Sequence, residues 1–381
     1  MTRQTLAKLL IGFTVLTAIA AGLYFGLART YPKAEKTAGP VRIVAQPQQI
    51  WIEAGDTAQS LNFDFVIENL GPTPVGLDRV ELTAFDSAGK PVVRRFIDSN
   101  GMVPSIESIP QRVVEPGQTL LVFNPFHTFR PDLDLHRLRY DFSLSIPQEV
   151  PDTNATVEVQ PRIYPSITEL ALPLKGKVLV HDGHDFYGHH RRMNTEHPGA
   201  KALGLTHNFM RYSLDLNPTN DVFEPFQGKG EKNEDWFAWG APIIATGDGI
   251  VVDVGDDVPD NIRGGQNFFN PEIVKTEPLK FYGNYVVIDH GNGEFSLFGH
   301  VQKGSVIVKL GDAVVRGQPL AKIGSSGSSG NPHLHYELRS GRGLQVDGLP
   351  AVFTHYTRHL GGKTLAVSAG PVDTGDMLES D

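Results

Sequence analysis

"GNYVVIDHGNGEFSLFGHVQKGSVIVKLGDAVVRGQPLAKIGSSGSSGNPHLHYEL", Gly283 to Leu338, decides the fold. Its apolar runs are short and are cut by Gly-Asn, Gly-Asp and Gly-Gln pairs, which reads as strands divided by glycine turns. Upstream, "WGAPIIATGDGIVVDVGD", Trp239 to Asp256, continues the pattern. At the far end, "HLHYEL" reads as one more strand. Side chains two apart on a strand share a face, so His333 and His335 point one way and Leu334 turns to the core. Two imidazoles held together can bind one metal, or one can bind metal while the other moves protons.

The rest of the chain sets the context. Its 381 residues suit two domains. With 40% hydrophobic and 20% charged residues, it can build a globular core. The net charge of −9 argues against nucleic acid as a partner, because phosphate binding needs a basic face. Cysteine is absent, which excludes disulfides, thiolate metal sites and a Cys nucleophile.

Leu9 to Ala28 carries no charge over 20 residues and follows Arg3 and Lys8. Residues 1–28 therefore read as a signal anchor or a signal peptide, with the anchor preferred because a span needs roughly 20 apolar residues. The expected location is the cell envelope, anchored in the inner membrane facing the periplasm, or exported. Residues 29–40 read as a polar linker. From Val41 to about residue 165, period-two stretches such as "VRIVAQ", "LNFDFVIENLG" and "LRYDFSLSI" predict an immunoglobulin-like β-sandwich that spaces the next domain or binds a protein partner. A second β-rich domain is expected over 166–362, and an acidic, disordered tail over 363–381.

Most of the 14 histidines follow residue 180. Asp215, in "RYSLDL", is a strand carboxylate among apolar neighbours, and such a group is costly to bury unless paired or metal-bound. Together, the two glycine-cut segments, His300 in "FGH" and His333–His335 in "HLH" resemble the lysostaphin-type zinc endopeptidases of bacterial cell walls. In that family a His and an Asp precede a G-x-P-V-x-A-x-x-G-x-V strand pair, and Y-x-H and H-x-H follow. Ala241 to Val251 matches the strand pair, with Phe298 where Tyr is common. A lipoyl- or biotinyl-type hairpin over 308–325 would leave both histidine motifs unexplained.

The resemblance implies a mainly antiparallel β peptidase domain, one zinc ion held by Asp215 and His335, and His300 and His333 acting on the water and the oxyanion. It also implies a peptidoglycan peptide as substrate. The chain departs from the family pattern at one ligand. Arg211 stands four residues before Asp215, where the family has His, and a guanidinium cannot bind zinc. His190 matches the upstream His-Arg-Arg of a branch with R-Y-S-L-D and is preferred. His207 is the second choice, although on a straight strand it would lie roughly 26 Å from Asp215. A site with no third protein ligand is the remaining choice, and Arg211 also motivates a catalytically silent relative that binds wall or regulates another hydrolase. Arg211 itself would orient a substrate carboxylate or pair with a nearby acid. His189 is expected on the opposite side of its strand, His184 and His197 in solvent. The glycine-serine loop is expected to let an extended substrate come close.

Overall fold

The computed structural model describes residues 35–146 and 153–380, and nearly all of its regular structure is β. The apolar segment Leu9–Ala28 lies outside the described residues. Among the described residues no helix is long and apolar enough to cross a membrane.

Residues 41–159 build one hydrophobic core from three sheets. The period-two stretches become strands Val41–Gln46, Asp64–Asn69, Thr119–Phe123 and Arg137–Ser145, among others. Arg137–Ser145 alternates partly and fully buried positions along its length, so Leu138, Tyr140, Phe142 and Leu144 all enter the core. Edge-to-face pairs among Phe63, Phe65, Tyr140 and Phe142 fill its centre. Part of the expected linker is ordered. Glu35–Ala38 pairs back on Val41–Gln46 through a Gly39–Pro40 turn, with Gly39 at φ +54°.

The second region is a long antiparallel sheet. Its order runs Ala313–Val314, Gly249–Gly255, Asn284–Asp289, Phe295–Val301, Leu334–Arg339, Leu214–Pro218, Gly176–Asp182, Met377–Ser380, Phe353–Leu360 and Lys363–Gly370. Both faces are covered. Val286, Ile288, Phe298, Leu334 and Tyr336 enter one core cluster, and Tyr285, Val287 and Leu297 enter another. Period-two alternation thus assigns each strand two buried faces, and His335 and Glu337 fall on the face opposite Leu334 and Tyr336.

The expected disordered tail is instead part of this sheet. Lys363–Gly370 pairs with Phe353–Leu360 across Gly361–Gly362, and Met377–Ser380 lies between Phe353–Leu360 and Gly176–Asp182. Val367, Val372 and Leu378 anchor the segment in the core. Small and acidic residues dilute the apolar signal there, but neighbouring strands supply the hydrogen bonds that low hydrophobicity alone would not.

Candidate metal centre

Strand register builds the centre. Asp215 lies opposite His335, His335 opposite Gly299, and Asp182 opposite Asp215, across four adjacent strands. His300 follows Gly299, with φ +57°. Left-handed backbone at a non-glycine residue costs on the order of 1–3 kcal/mol and is met mainly at functional sites. Asp182, Asp215, His300 and His335 line a cleft of about 430 Å³, together with His189, His190, Met210, Phe281, Gly330 and His333 among others.

Three ring nitrogens surround one carboxylate oxygen. Asp215 Oδ1 is 3.0 Å from His335 Nδ1, 3.5 Å from His190 Nε2 and 3.4 Å from His333 Nε2. The other nitrogen of each ring is engaged. His190 Nδ1 is 3.2 Å from the Gly183 carbonyl, and His333 Nδ1 is 2.8 Å from the Asn331 carbonyl. A carbonyl can only accept, so each Nδ1 carries the hydrogen and each Nε2 keeps its lone pair. His335 is turned the other way, with Nε2 donating to Glu337 Oε1 at 2.8 Å. Its Nδ1 faces Asp215 at 3.0 Å, where a proton bonds the carboxylate. Three ring nitrogens and one carboxylate oxygen thus converge, and a bound cation would take the place of that proton. Tetrahedral zinc ligands at ~2.0–2.1 Å lie about 3.3 Å apart, close to these separations, so the residues fit the group that the sequence resemblance implies.

Electrostatics agrees with that donor set. Burial alone would raise the Asp215 carboxyl, but the His333 and His190 imidazoles hold it well below the carboxylate range. Burial pulls His190 down to about 4. For His335, burial is outweighed by hydrogen bonds to Asp215 and Glu337, which raise it to about 9. His300 is held well below its usual value by burial and by the neighbouring His333 and His335. Its Nδ1 donates to the Ser326 carbonyl at 2.8 Å, leaving Nε2 free in a ring that lines the cleft.

Behind His335 stands a second row. Glu337 also accepts from Tyr282 Oη at 2.7 Å and lies 3.2 Å from Arg339. A carboxylate behind a metal-ligating imidazole fixes its tautomer and orientation. Glu337 continues the alternation of "HLHYE", so the same face-sharing that pairs His333 with His335 would have found it. Asp182 was missed as well. It pairs with the exposed His189, lies 3.9 Å from His190 Nδ1, and joins a group with His189, His190 and Asp215 whose ligand atoms are mutually close enough for an ion. A strand bulge between Val180 and Asp182 places it there, and no spacing in "LVHDG" announces a bulge.

Several sequence expectations change. His190 is at the centre, but not through a strand hairpin: residues 189–192 form turns, and the strand beside Leu214–Pro218 is Gly176–Asp182. His189 therefore faces the cleft rim, not an opposite strand face. Residues 209–212 are also turns, so Arg211 is not in line with Asp215. Its guanidinium contacts Asp64 at 2.7 Å. His207 bonds Thr206 and lines a different groove. His184 is buried against Glu53 at 3.0 Å, not in solvent. His197 caps the Pro198–Ala202 turn of helix from an exposed position.

The glycine-serine loop also works differently. A Cβ at Gly327 would sit 2.1 Å from Gly283 N, and one at Gly324 would meet Asp260 and the Gln302 backbone. Those glycines allow backbone to pack on backbone. Asp260 and Asn261, from the segment between strands Gly249–Gly255 and Asn284–Asp289, bind Ser325, Gly327 and Ser329 and hold the loop down. Only Gly330 opens into the cleft with free space around it.

Comparison with known proteins matches residues 232–347 to the model for Peptidase family M23. The peptidoglycan DD-endopeptidase ShyA of Vibrio cholerae is 35% identical over 112 residues, 29% of this chain and 20% of its own length. The murein hydrolase activator EnvC of Escherichia coli is 32% identical over 127 residues, 32% of this chain and 27% of its own. The chain thus spans about a fifth to a quarter of these relatives. The catalytic domain of lysostaphin from Staphylococcus simulans aligns with 32% of this chain and 82% of that domain, at 21% identity and a TM-score of 0.21. His300, His333 and His335 fall inside the matched segment, while His190 and Asp215 precede it. The chain carries a domain of peptidase family M23, the lysostaphin-type family.

Proposed function

We propose that the chain is a zinc-dependent endopeptidase that cleaves peptide bonds in bacterial peptidoglycan. The observation that carries the reading is the placement of His335 Nδ1 and His190 Nε2 at 3.0 and 3.5 Å from Asp215 Oδ1, near tetrahedral ligand spacing. His190, Asp215 and His335 would hold one zinc ion, which when bound acidifies a water and polarises the scissile carbonyl. His300 and His333 do the proton work. Each has Nδ1 tied to a backbone carbonyl, so each offers Nε2 as the basic nitrogen. A neutral imidazole there accepts the proton of the attacking water, its new N–H stabilises the tetrahedral oxyanion, and the proton then passes to the leaving amine. His333 lies as close to Asp215 as the ligands do, so its assignment to proton work rests on the family resemblance.

The substrate class is supported by ShyA, a peptidoglycan DD-endopeptidase by name. In this reading Leu9–Ala28 anchors the protein in the inner membrane and the cleft works in the periplasm. Residues 41–165 form an immunoglobulin-like sandwich able to receive a protein partner. A second reading, a silent relative that regulates another hydrolase, is favoured by the likeness to EnvC, an activator by name.

The test is zinc content and release of new amine termini from purified peptidoglycan. One zinc per chain and cleavage are expected for the wild type. His335→Ala loses both; His300→Ala keeps zinc and loses at least 100-fold in turnover. Stoichiometric zinc with no cleavage would select the regulatory reading, and no zinc at neutral pH would sink the metallopeptidase. Equal zinc loss in both variants would refute the division of roles.

A further inference from the structure

The His190 turn and the chain leading to Asp215 are both moored to the other region of the molecule. Arg191, next to His190, donates from Nη1 to Asp64 Oδ1 at 2.6 Å and from Nη2 to the Phe63 carbonyl at 2.9 Å. Arg211, four residues before Asp215, donates from Nη1 to Asp64 Oδ2 at 2.7 Å. Asn62 Nδ2 donates to the Arg211 carbonyl at 2.8 Å. Asp64, Arg191 and Arg211 are each no more than 2% exposed. Asn208 ties the two segments together, donating to the His190 and Arg191 carbonyls at 3.0 and 3.2 Å.

We infer that Asp64, a residue of the N-terminal β region, is a positioning residue for the metal centre: its carboxylate clamps Arg191 and Arg211 and so fixes His190 and the approach to Asp215. This rests on the reading of His190 and Asp215 as metal ligands. The geometry leaves little other work for the carboxylate. It sits at the first position of strand Asp64–Asn69, on the face opposite the core-facing Phe65 and Ile67, and each of its oxygens serves one arginine. Arginine is suited to the task because its planar fork fixes direction as well as charge. The two guanidiniums outnumber the carboxylate, so removal of Asp64 leaves two buried cations facing each other. Arg211, which stands where the lysostaphin family has a histidine ligand, thereby exchanges coordination for anchorage. The N-terminal β region becomes part of the centre's framework, not a detachable module.

The full chain with Asp64→Asn, Asn62→Ala and, as a stability control, Leu144→Ala in the core of the same region tests this. Zinc affinity is read by chelator competition, and hydrogen exchange over residues 188–193 is read in metal-free protein. Asp64→Asn is expected to weaken zinc about 10–100-fold, the usual effect of losing a ligand's support, and to speed exchange. Asn62→Ala should move both readouts the same way by roughly threefold or more, given the loss of one net hydrogen bond. Leu144→Ala should lower the melting temperature while leaving zinc affinity within about twofold. Unchanged affinity and exchange in a folded Asp64→Asn protein would overturn the clamp, as would an equal affinity loss in Leu144→Ala. If Asp64→Asn does not fold, Asn62→Ala decides. If the wild type takes up no zinc, the peptidase reading falls, and the exchange data still judge the clamp.

Discussion

The two histidine segments of the cleft are built on opposite plans. His333 and His335 border a regular strand whose neighbours fix them by register: Asp215 opposite His335 on one side, Gly299 on the other. Their backing residue, Glu337, comes from the same strand. His189 and His190 sit in turns, with no ladder to hold them, and His190 is placed by one carbonyl, by Asn208 and by its neighbour's reach to Asp64. One half of the centre supports itself. The other borrows its support from residues more than 120 positions away. A ligand on a strand is set by local period, whereas a ligand in a turn needs a distant brace.

The contrast can be broken most directly at the turn. His190→Ala should weaken zinc by at least about 100-fold, since one of three protein ligands is lost, and His207→Ala should leave it unchanged, as isothermal titration can show. The reverse result would move the third ligand to His207. On the strand side, Glu337→Gln keeps shape but removes the charge behind His335 Nε2. It should cost about 10–100-fold in zinc affinity, with the fold intact by circular dichroism. An effect smaller than that of Asp64→Asn would show that the strand holds its histidine without outside help.

The smallest effect concerns the seam between the regions. Burial lowers His184 but Glu53 and Asp373 outweigh it, raising the imidazole to about 9. A raised folded value means stability that is fully present below about 6.5, the unfolded value, and is lost as pH climbs through 9. Thermal melts from pH 6.5 to 9.5 should therefore fall, and Glu53→Gln should flatten the fall. A wild-type melt that stays level would show that His184 is neutral at the seam.

Legibility in the sequence followed the same divide. Elements with local period were readable: the glycine-cut strands, the common face of His333 and His335, the buried Asp215. His190 was reachable only through resemblance, because "GHHRR" has no period that says which imidazole turns inward. Asp182, the pairing of Arg191 and Arg211 with Asp64, and the Glu53–His184 contact depend on a bulge and on packing between regions, and neither leaves a mark on adjacent residues. The ordered segment after residue 362 failed for a different reason. Its strands are stabilised by partners far along the chain, not by their own composition.

That last arrangement has a consequence in time. Gly176–Asp182, which ends at the cleft, is flanked on one side by Met377–Ser380, with Gly176 opposite Ser380. About two hundred residues must be made and placed before that pair can form, and such distant closures are the slow steps of folding. The strand carrying Asp182 also pairs with Leu214–Pro218 across a much shorter loop, so only its other flank waits for the longest loop to close. A newly made chain would complete that flank last, after every residue of the centre has been made.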